Sequence, residues 1–256
     1  MKRYEEIDIL KGIAVICMVI FHIFYFPNQY GFKEIEYNTV PLRITAKVAQ
    51  IIFITCVGIN LVFSYYISNE KKEDKKQYIK KQLYRIGKLA FCALFMTLFT
   101  YFVFGYNFVK FGILHFVAFS SLILVPFVNN MSAIYSFLVV IGVLYFLVKQ
   151  DRSMFSGVPP KTAFISGFYF NYPAIDHFPL IPWILLILIG IILGHLIIKY
   201  EPELPDGVKN NELSYTLQGI GKHSLEVYMI HWLVIYVIFC HIYPKYRNVP
   251  VLNFRY

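Results

Sequence analysis

Charge is scarce in this sequence. Only 15% of its 256 residues are Asp, Glu, Lys or Arg, where a soluble domain carries about 25%, and the shortage argues against an ordinary water-soluble enzyme. Cysteine is scarce as well. Cys17, Cys56, Cys92 and Cys240 each stand alone, without CxxC or Cys/His ligand spacing; they read as small apolar packing residues, and no metal site is expected. No Gly-X-Y period, Gly/Ser tract or Gln/Asn tract points to a fibrous or low-complexity chain, and no internal repeat suggests inverted transporter halves. What is abundant is apolar side chain, 58% of the residues. That combination reads as a polytopic membrane protein.

A bilayer core about 30 Å thick needs roughly 20 mostly apolar residues in helical form. Seven windows qualify: Ile7 to Phe26, Val48 to Ser68, Leu89 to Phe108, Phe111 to Phe127, Ser132 to Val148, Leu180 to Ile198 and Ile220 to Cys240. They cover just over half the chain and hold only Asp8, Lys11, Lys222 and Glu226 among its charged residues. The fourth and fifth windows form one uncharged run, divided at Pro126 and the pair Asn129-Asn130 because one helix of that length would overshoot a bilayer. The expected fold is an all-α, polytopic transmembrane helix bundle of about seven spans, one domain over residues 1–256.

Lys2 and Arg3 precede the first apolar run, but Glu5, Glu6 and Asp8 interrupt it and no small-x-small site follows Phe26, so it reads as a span and not as a signal peptide. The loop Lys71 to Lys88 holds eight Lys or Arg, and the positive-inside rule puts it, and hence the N-terminus, in the cytoplasm. In a microbial cell the membrane would be the plasma membrane. The longest outer segments, Pro27 to Lys47 and Lys149 to Pro179, are long enough to expect function or poor order.

An ionisable side chain inside a membrane helix costs on the order of 2.5 to 3.5 kcal/mol near the bilayer centre, so each is a functional candidate. Asp8 and Lys11 are three apart on one face of the first span and can pair. His22 lies eleven residues beyond Lys11, on the same stripe but about 16 Å along the axis. One helix thus offers a cation near the inner surface and an imidazole near the outer. Gly112 to His115 opens the fourth span with a second imidazole at comparable depth. Asp176 precedes the Pro179 and Pro182 that start the sixth, where it could cap that helix or orient an imidazole. In the last span Ser224, Tyr228 and His231 form a polar stripe, while His195 and His241 read as interfacial or packing residues. The 21 Tyr and 25 Phe belong to lipid-facing and belt positions; no nucleic-acid partner is expected.

Taken in order, these motifs resemble a known family. Asp8-Ile-Leu-Lys11-Gly12 with Met18 to His22, Phe53 to Gly58, Gly112-Ile-Leu-His115, Asp176 to Trp183 with Gly190 and Gly194, and Gly221-x-His-Ser-Leu225 with Tyr228-x-x-His231 look like the catalytic domain of heparan-alpha-glucosaminide N-acetyltransferase in its short microbial form, within the wider transmembrane acyltransferases. That superfamily shares a basic residue, ten intervening residues and a His in its first helix, which Lys11 and His22 reproduce. Arg is the common basic residue there; Lys11 keeps the charge but lacks the bidentate fork.

The resemblance implies transfer of an acyl group, usually acetyl, from cytosolic acyl-CoA to an amine or hydroxyl of a sugar or glycan across the membrane. His22 would act as general base, with direct attack to give an acyl-imidazole as a variant. His115 or His231 would orient the acceptor or polarise the thioester, and Asp176 would fix a His tautomer. Lys11 with Lys80, Lys81 and Arg85 of the basic loop would meet the phosphates of acetyl-CoA, although plain topology-setting charge is the simpler account of that loop. Membrane lipids are the surrounding partners, and a homo-oligomer is left open. The rival classes are a solute transporter or channel with an intramembrane His/Lys path, and a non-catalytic scaffold subunit.

Overall fold

The computed structural model describes residues 4–29, 35–104, 108–151, 157–167, 176–200 and 211–242. Lys2, Arg3 and parts of the two outer segments lie outside them. Among the described residues there is no strand, only an isolated bridge between Phe111 and His177. The helices are α1 (Glu5–Gln29), α2 (Val40–Glu70), α3 (Lys75–Phe104), α4 (Ile113–Leu124) with a 3-10 turn at Val125–Phe127, α5 (Met131–Gln150), α6 (Pro160–Ser166), α7 (Leu180–Tyr200), α8 (Glu212–Lys222) and α9 (Ser224–Ile242).

Helices α1, α2, α3, α5 and α7 are long and apolar enough to cross a membrane; α4 with its 3-10 turn and α9 are shorter apolar helices. Apolar side chains that a soluble protein would bury stand exposed on these helices, Phe91 and Leu98 on α3 and Val139 and Phe146 on α5 among them. Lipid tails are the solvent that makes this arrangement stable. The break inside the long uncharged run falls where the sequence places it: Pro126 ends α4 in the 3-10 turn, and the Asn130 side chain accepts from Ala133 N at 3.1 Å to cap α5.

Three boundaries differ from expectation. The basic stretch is largely helix, not loop, because Asp74 accepts from Gln77 N at 2.7 Å and starts α3 at Lys75. Lys and Arg are good helix formers with exposed positions to occupy. Helix α2 begins at Val40, eight residues before its apolar window. The last window is broken at His223, whose backbone (φ −104, ψ 25) separates α8 from α9.

The chain groups into two compact units, a terminal unit of residues 2–56 and 202–251 and a central unit of 57–201 apart from the extreme termini. In the terminal unit α1 packs on α8 and α9. Helix α8 buries Ser214, Leu217, Gln218 and Gly221, a single face at helical spacing. Gly12 and Gly221 make the α1–α8 contact so close that a Cβ on Gly12 would overlap the Leu217 carbonyl and one on Gly221 the Asp8 carbonyl. In the central unit α4 packs on α3 and α7, and α5 on α7. A Cβ on Gly58 would overlap the Ile187 carbonyl, so α2 and α7 meet backbone to backbone there.

Candidate functional site

In the terminal unit the two polar features of α1 each find a partner. Lys11 Nζ lies 2.6 Å from Asp8 Oδ1, and Asp8 is only 3% exposed. A buried carboxylate needs such a counter-charge. The amide of Gln218 on α8 donates to Glu5 at 3.4 Å, which adds a second polar tie between α1 and α8.

His22 meets His231 of α9, with Nδ1 of His22 3.0 Å from Nε2 of His231. The neighbours of His231 fix the tautomers of both rings. Its Nδ1 lies 2.8 Å from the Tyr228 carbonyl and 3.2 Å from that of Val227. Carbonyls only accept, so Nδ1 carries the proton; Nε2 of the neutral ring is then an acceptor, and His22 Nδ1–H donates to it. The lone pair of His22 is left at Nε2, which has no partner among the described residues. Phe26 stacks on the His22 ring at 4.6 Å and 9°, and Phe21 meets it edge-on at 5.5 Å, so its orientation is held by packing as well.

The other two sequence-predicted catalytic residues belong to the central unit. Asp176 caps α4 and not the helix that follows it: its Oδ2 accepts from Ile113 N at 3.1 Å. Gly112 leaves room for this, since a Cβ there would press on the carboxylate. Phe178 N donates to Phe111 O at 2.9 Å and ties the same segments by backbone. Burial pushes the Asp176 carboxyl up to about 6, against the opposing effect of the Ile113 N–H. Its neighbour His177 donates from Nε2 to the Phe164 carbonyl at 3.0 Å and stacks on the Phe164 ring at 4.0 Å. Burial lowers the pKa of His177, so the ring is neutral at pH 7.

His115 leans on Thr97 of α3. The Thr97 hydroxyl donates to Val109 O at 2.8 Å, so it accepts from His115 Nε2–H at 3.2 Å. His115 Nδ1 is therefore a bare lone pair, buried and without a hydrogen-bond partner. A second hydroxyl one turn on, Thr100, accepts from Val109 N at 3.0 Å. The sequence reading missed Thr97 and Thr100, although two threonines three apart in an apolar helix are the signal that would have found them.

Of the residues assigned to the donor, Lys81 pairs with Glu73 and Arg85 donates from Nη1 to Ser64 Oγ at 2.7 Å, tying α2 to α3; Lys80 is exposed. Lys11 belongs to the terminal unit and the other three to the central one. His195 serves packing: its Nε2 donates to Val128 O at 2.9 Å and its Nδ1 lies 3.4 Å from the Tyr66 hydroxyl. Cys17, Cys56 and Cys92 are free, while the Cys240 side chain lies outside the described residues. No group of three or more His, Cys, Asp or Glu among the described residues is placed to hold a metal.

Among the described residues, five long apolar helices and two shorter ones, with ionisable side chains paired among them, define an integral, multi-pass membrane protein. The model of one family, heparan-alpha-glucosaminide N-acetyltransferase, catalytic, matches residues 3–233, and the chain belongs to that family of membrane acetyltransferases. No curated protein and no solved structure matches it.

Proposed function

We propose that the protein moves an acetyl group from acyl-CoA on the cytoplasmic side to an amine or hydroxyl of a sugar or glycan on the opposite face, with its N-terminus and the start of α3 cytoplasmic. The observation that carries this reading is the His22–His231 pair, which leaves His22 Nε2 unprotonated and without a partner among the described residues, within a chain of an acetyltransferase family. The thioester supplies an activated acyl group. Its fit to this chain rests on the donor set: a neutral imidazole suited to proton removal and eight Lys or Arg from Lys71 to Lys88 for an anionic carrier.

His22 Nε2 takes the proton from the acceptor amine or hydroxyl as the new bond to the acyl carbon forms. The His22 ring then holds that proton and gives it to the departing sulfur. His231 accepts from His22 Nδ1–H throughout and stabilises the imidazolium, so it is a positioning residue. The role read for His115, in the central unit, is to orient the acceptor or polarise the thioester carbonyl. Asp176 positions His115 by capping α4.

The test uses purified protein in liposomes, with labelled acetyl-CoA on one side and an amino sugar or envelope glycan on the other. Label in the acceptor is expected. Substrate-dependent proton flux with no labelled product from any acyl-CoA would overturn the enzymatic reading and favour a transporter.

A further inference from the structure

Helix α3 has 30 residues, about 45 Å at 1.5 Å per residue, and a bilayer core is about 30 Å thick. Roughly its first ten residues therefore stand in the headgroup layer and beyond it. The helix has two unlike faces. Tyr78, Gln82, Ile86, Ala93, Met96 and Thr100 are buried on one. The opposite face carries Lys80, Tyr84, Lys88, Phe91 and Leu98, all exposed. Lys80 and Leu98 are eighteen residues apart, five whole turns, so they lie on one line, with Tyr84 and Phe91 within about 40° of it. Tyr84 is 79% and Phe91 71% exposed, against 8% for Ile86 between them, which fixes the phase of the stripe.

The basic residues at the start of α3 divide the same way. Lys81 pairs with Glu73, and Arg85 Nη1 donates to Ser64 Oγ, so both are tied to α2 and the turn after it. Lys80 and Lys88 lie on the open stripe and pair with no carboxylate among the described residues. Helical side chains lean toward the N-terminus, so Lys88, near the edge of the apolar core, reaches back past Tyr84 toward the headgroups. Gly87 leaves an open notch beside them, since nothing lies within 4 Å of a would-be Cβ there.

A partner for this stripe needs negative charge at the level of Lys80 and Lys88 and an apolar body along Phe91 and Leu98. A free anion meets only the first need and an uncharged lipid only the second. A second copy packed on the same face, parallel to it in the bilayer, would set lysine against lysine. We propose that the outward stripe of α3 binds an anionic phospholipid, its phosphate beside Tyr84 and one turn from each lysine, and an acyl chain along Phe91 and Leu98. The proposal needs only that α3 crosses the bilayer and is independent of the chemistry proposed above. It takes Lys80 from the phosphates of the acyl donor and gives it to the lipid.

The experiment titrates the full chain in detergent with dioleoyl phosphatidylglycerol and, separately, dioleoyl phosphatidylcholine, and reads bound lipid by native mass spectrometry. The two probes share acyl chains and differ in net charge, and the wild type should bind the glycerol lipid more tightly. Lys80→Gln with Lys88→Gln should weaken that binding roughly thirtyfold, about fivefold for each lysine, and leave phosphatidylcholine unaffected. Tyr84→Phe should weaken it about three- to tenfold. Lys71→Gln with Lys75→Gln removes as much charge at exposed positions off the stripe and should leave it largely intact. Circular dichroism checks that each variant is folded. Equal binding of the two lipids by the wild type overturns the proposal, and so does an equal loss in the two double variants, which would show diffuse basic charge. Displacement of the lipid by millimolar inorganic phosphate would show a free-anion site and overturn it as well. Lys80→Gln raising KM for acetyl-CoA with lipid affinity unchanged returns that residue to the donor and overturns the assignment.

Discussion

The imidazoles of His22 and His231 are joined by a 3.0 Å hydrogen bond across 209 residues of sequence, and the carbonyls of Val227 and Tyr228 give it a direction. His231 cannot accept a proton at Nδ1, so the pair stores the only free lone pair at His22 Nε2. Replacing His231 by Ala removes the acceptor that holds this tautomer. We expect kcat for acetyl transfer to fall about a hundredfold with KM for acetyl-CoA little changed, the range for a misaligned general base. His231→Gln keeps an acceptor oxygen on a similar reach and should recover part of the loss. Steady-state kinetics of the two variants side by side checks this.

Asp176 makes stability depend on pH. Its folded-state pKa of about 6 lies above the ordinary carboxyl value of 3.8. The folded protein therefore holds this proton more tightly than the unfolded chain, and the associated stability is full below pH 3.8 and is lost as pH rises through about 6. Asp176→Asn keeps an oxygen for Ile113 N–H and removes the charge, so its Tm should lose that dependence and match or exceed wild type above pH 6. Asp176→Ala orphans the N–H and should cost about 1 to 2 kcal/mol. Thermal melts in detergent from pH 4.5 to 8 measure both.

Glycine substitutions separate close contacts from open helix. Gly221→Ala forces a methyl into the Asp8 carbonyl and Gly58→Ala one into that of Ile187, so each should destabilise by about 1 to 3 kcal/mol or more. Gly87 in α3 has nothing within 4 Å of a would-be Cβ, and Gly87→Ala should stabilise by roughly 0.5 to 1 kcal/mol through helix propensity. Melting temperatures of the three variants read the contrast.

Thr97→Val removes the hydroxyl that accepts from His115 and donates to Val109 while keeping the shape of the side chain. The His115 ring is then free to turn its Nδ1 lone pair. The His115 Nε2–H and the Val109 carbonyl both lose their partner, so the variant should be destabilised by about 1 to 3 kcal/mol, read from its melting temperature in detergent.

The all-α membrane fold was legible because hydropathy and charge segregate so sharply along the chain. The division at Pro126 and Asn130 was legible for a local reason: a proline and a capping side chain act on their own neighbours. Helix α8 was not legible in the same way. Its buried face is Ser214, Leu217, Gln218 and Gly221, and three of those four carry no hydrophobic signal. Small and polar groups are buried there because two backbones approach and because Gln218 reaches Glu5. Lys11, His22, His115 and His231 were visible as polar intrusions in apolar windows, while Asp176 stood in the outer segment before the sixth window. Their partners were not, since Asp176 finds Ile113 across 63 residues and His22 finds His231 across 209. Spacing reports which residues share a helix face; it does not report which faces meet.

The central claim is that His22 Nε2 removes the acceptor's proton. Acetyl transfer by His22→Ala, measured in proteoliposomes at saturating concentrations of both substrates with and without added imidazole, tests it most directly. The account predicts a rate at least about a hundredfold below wild type, partly restored by imidazole, from a protein whose melting and circular dichroism show it folded. A His22→Ala variant that transfers acetyl at the wild-type rate would contradict it.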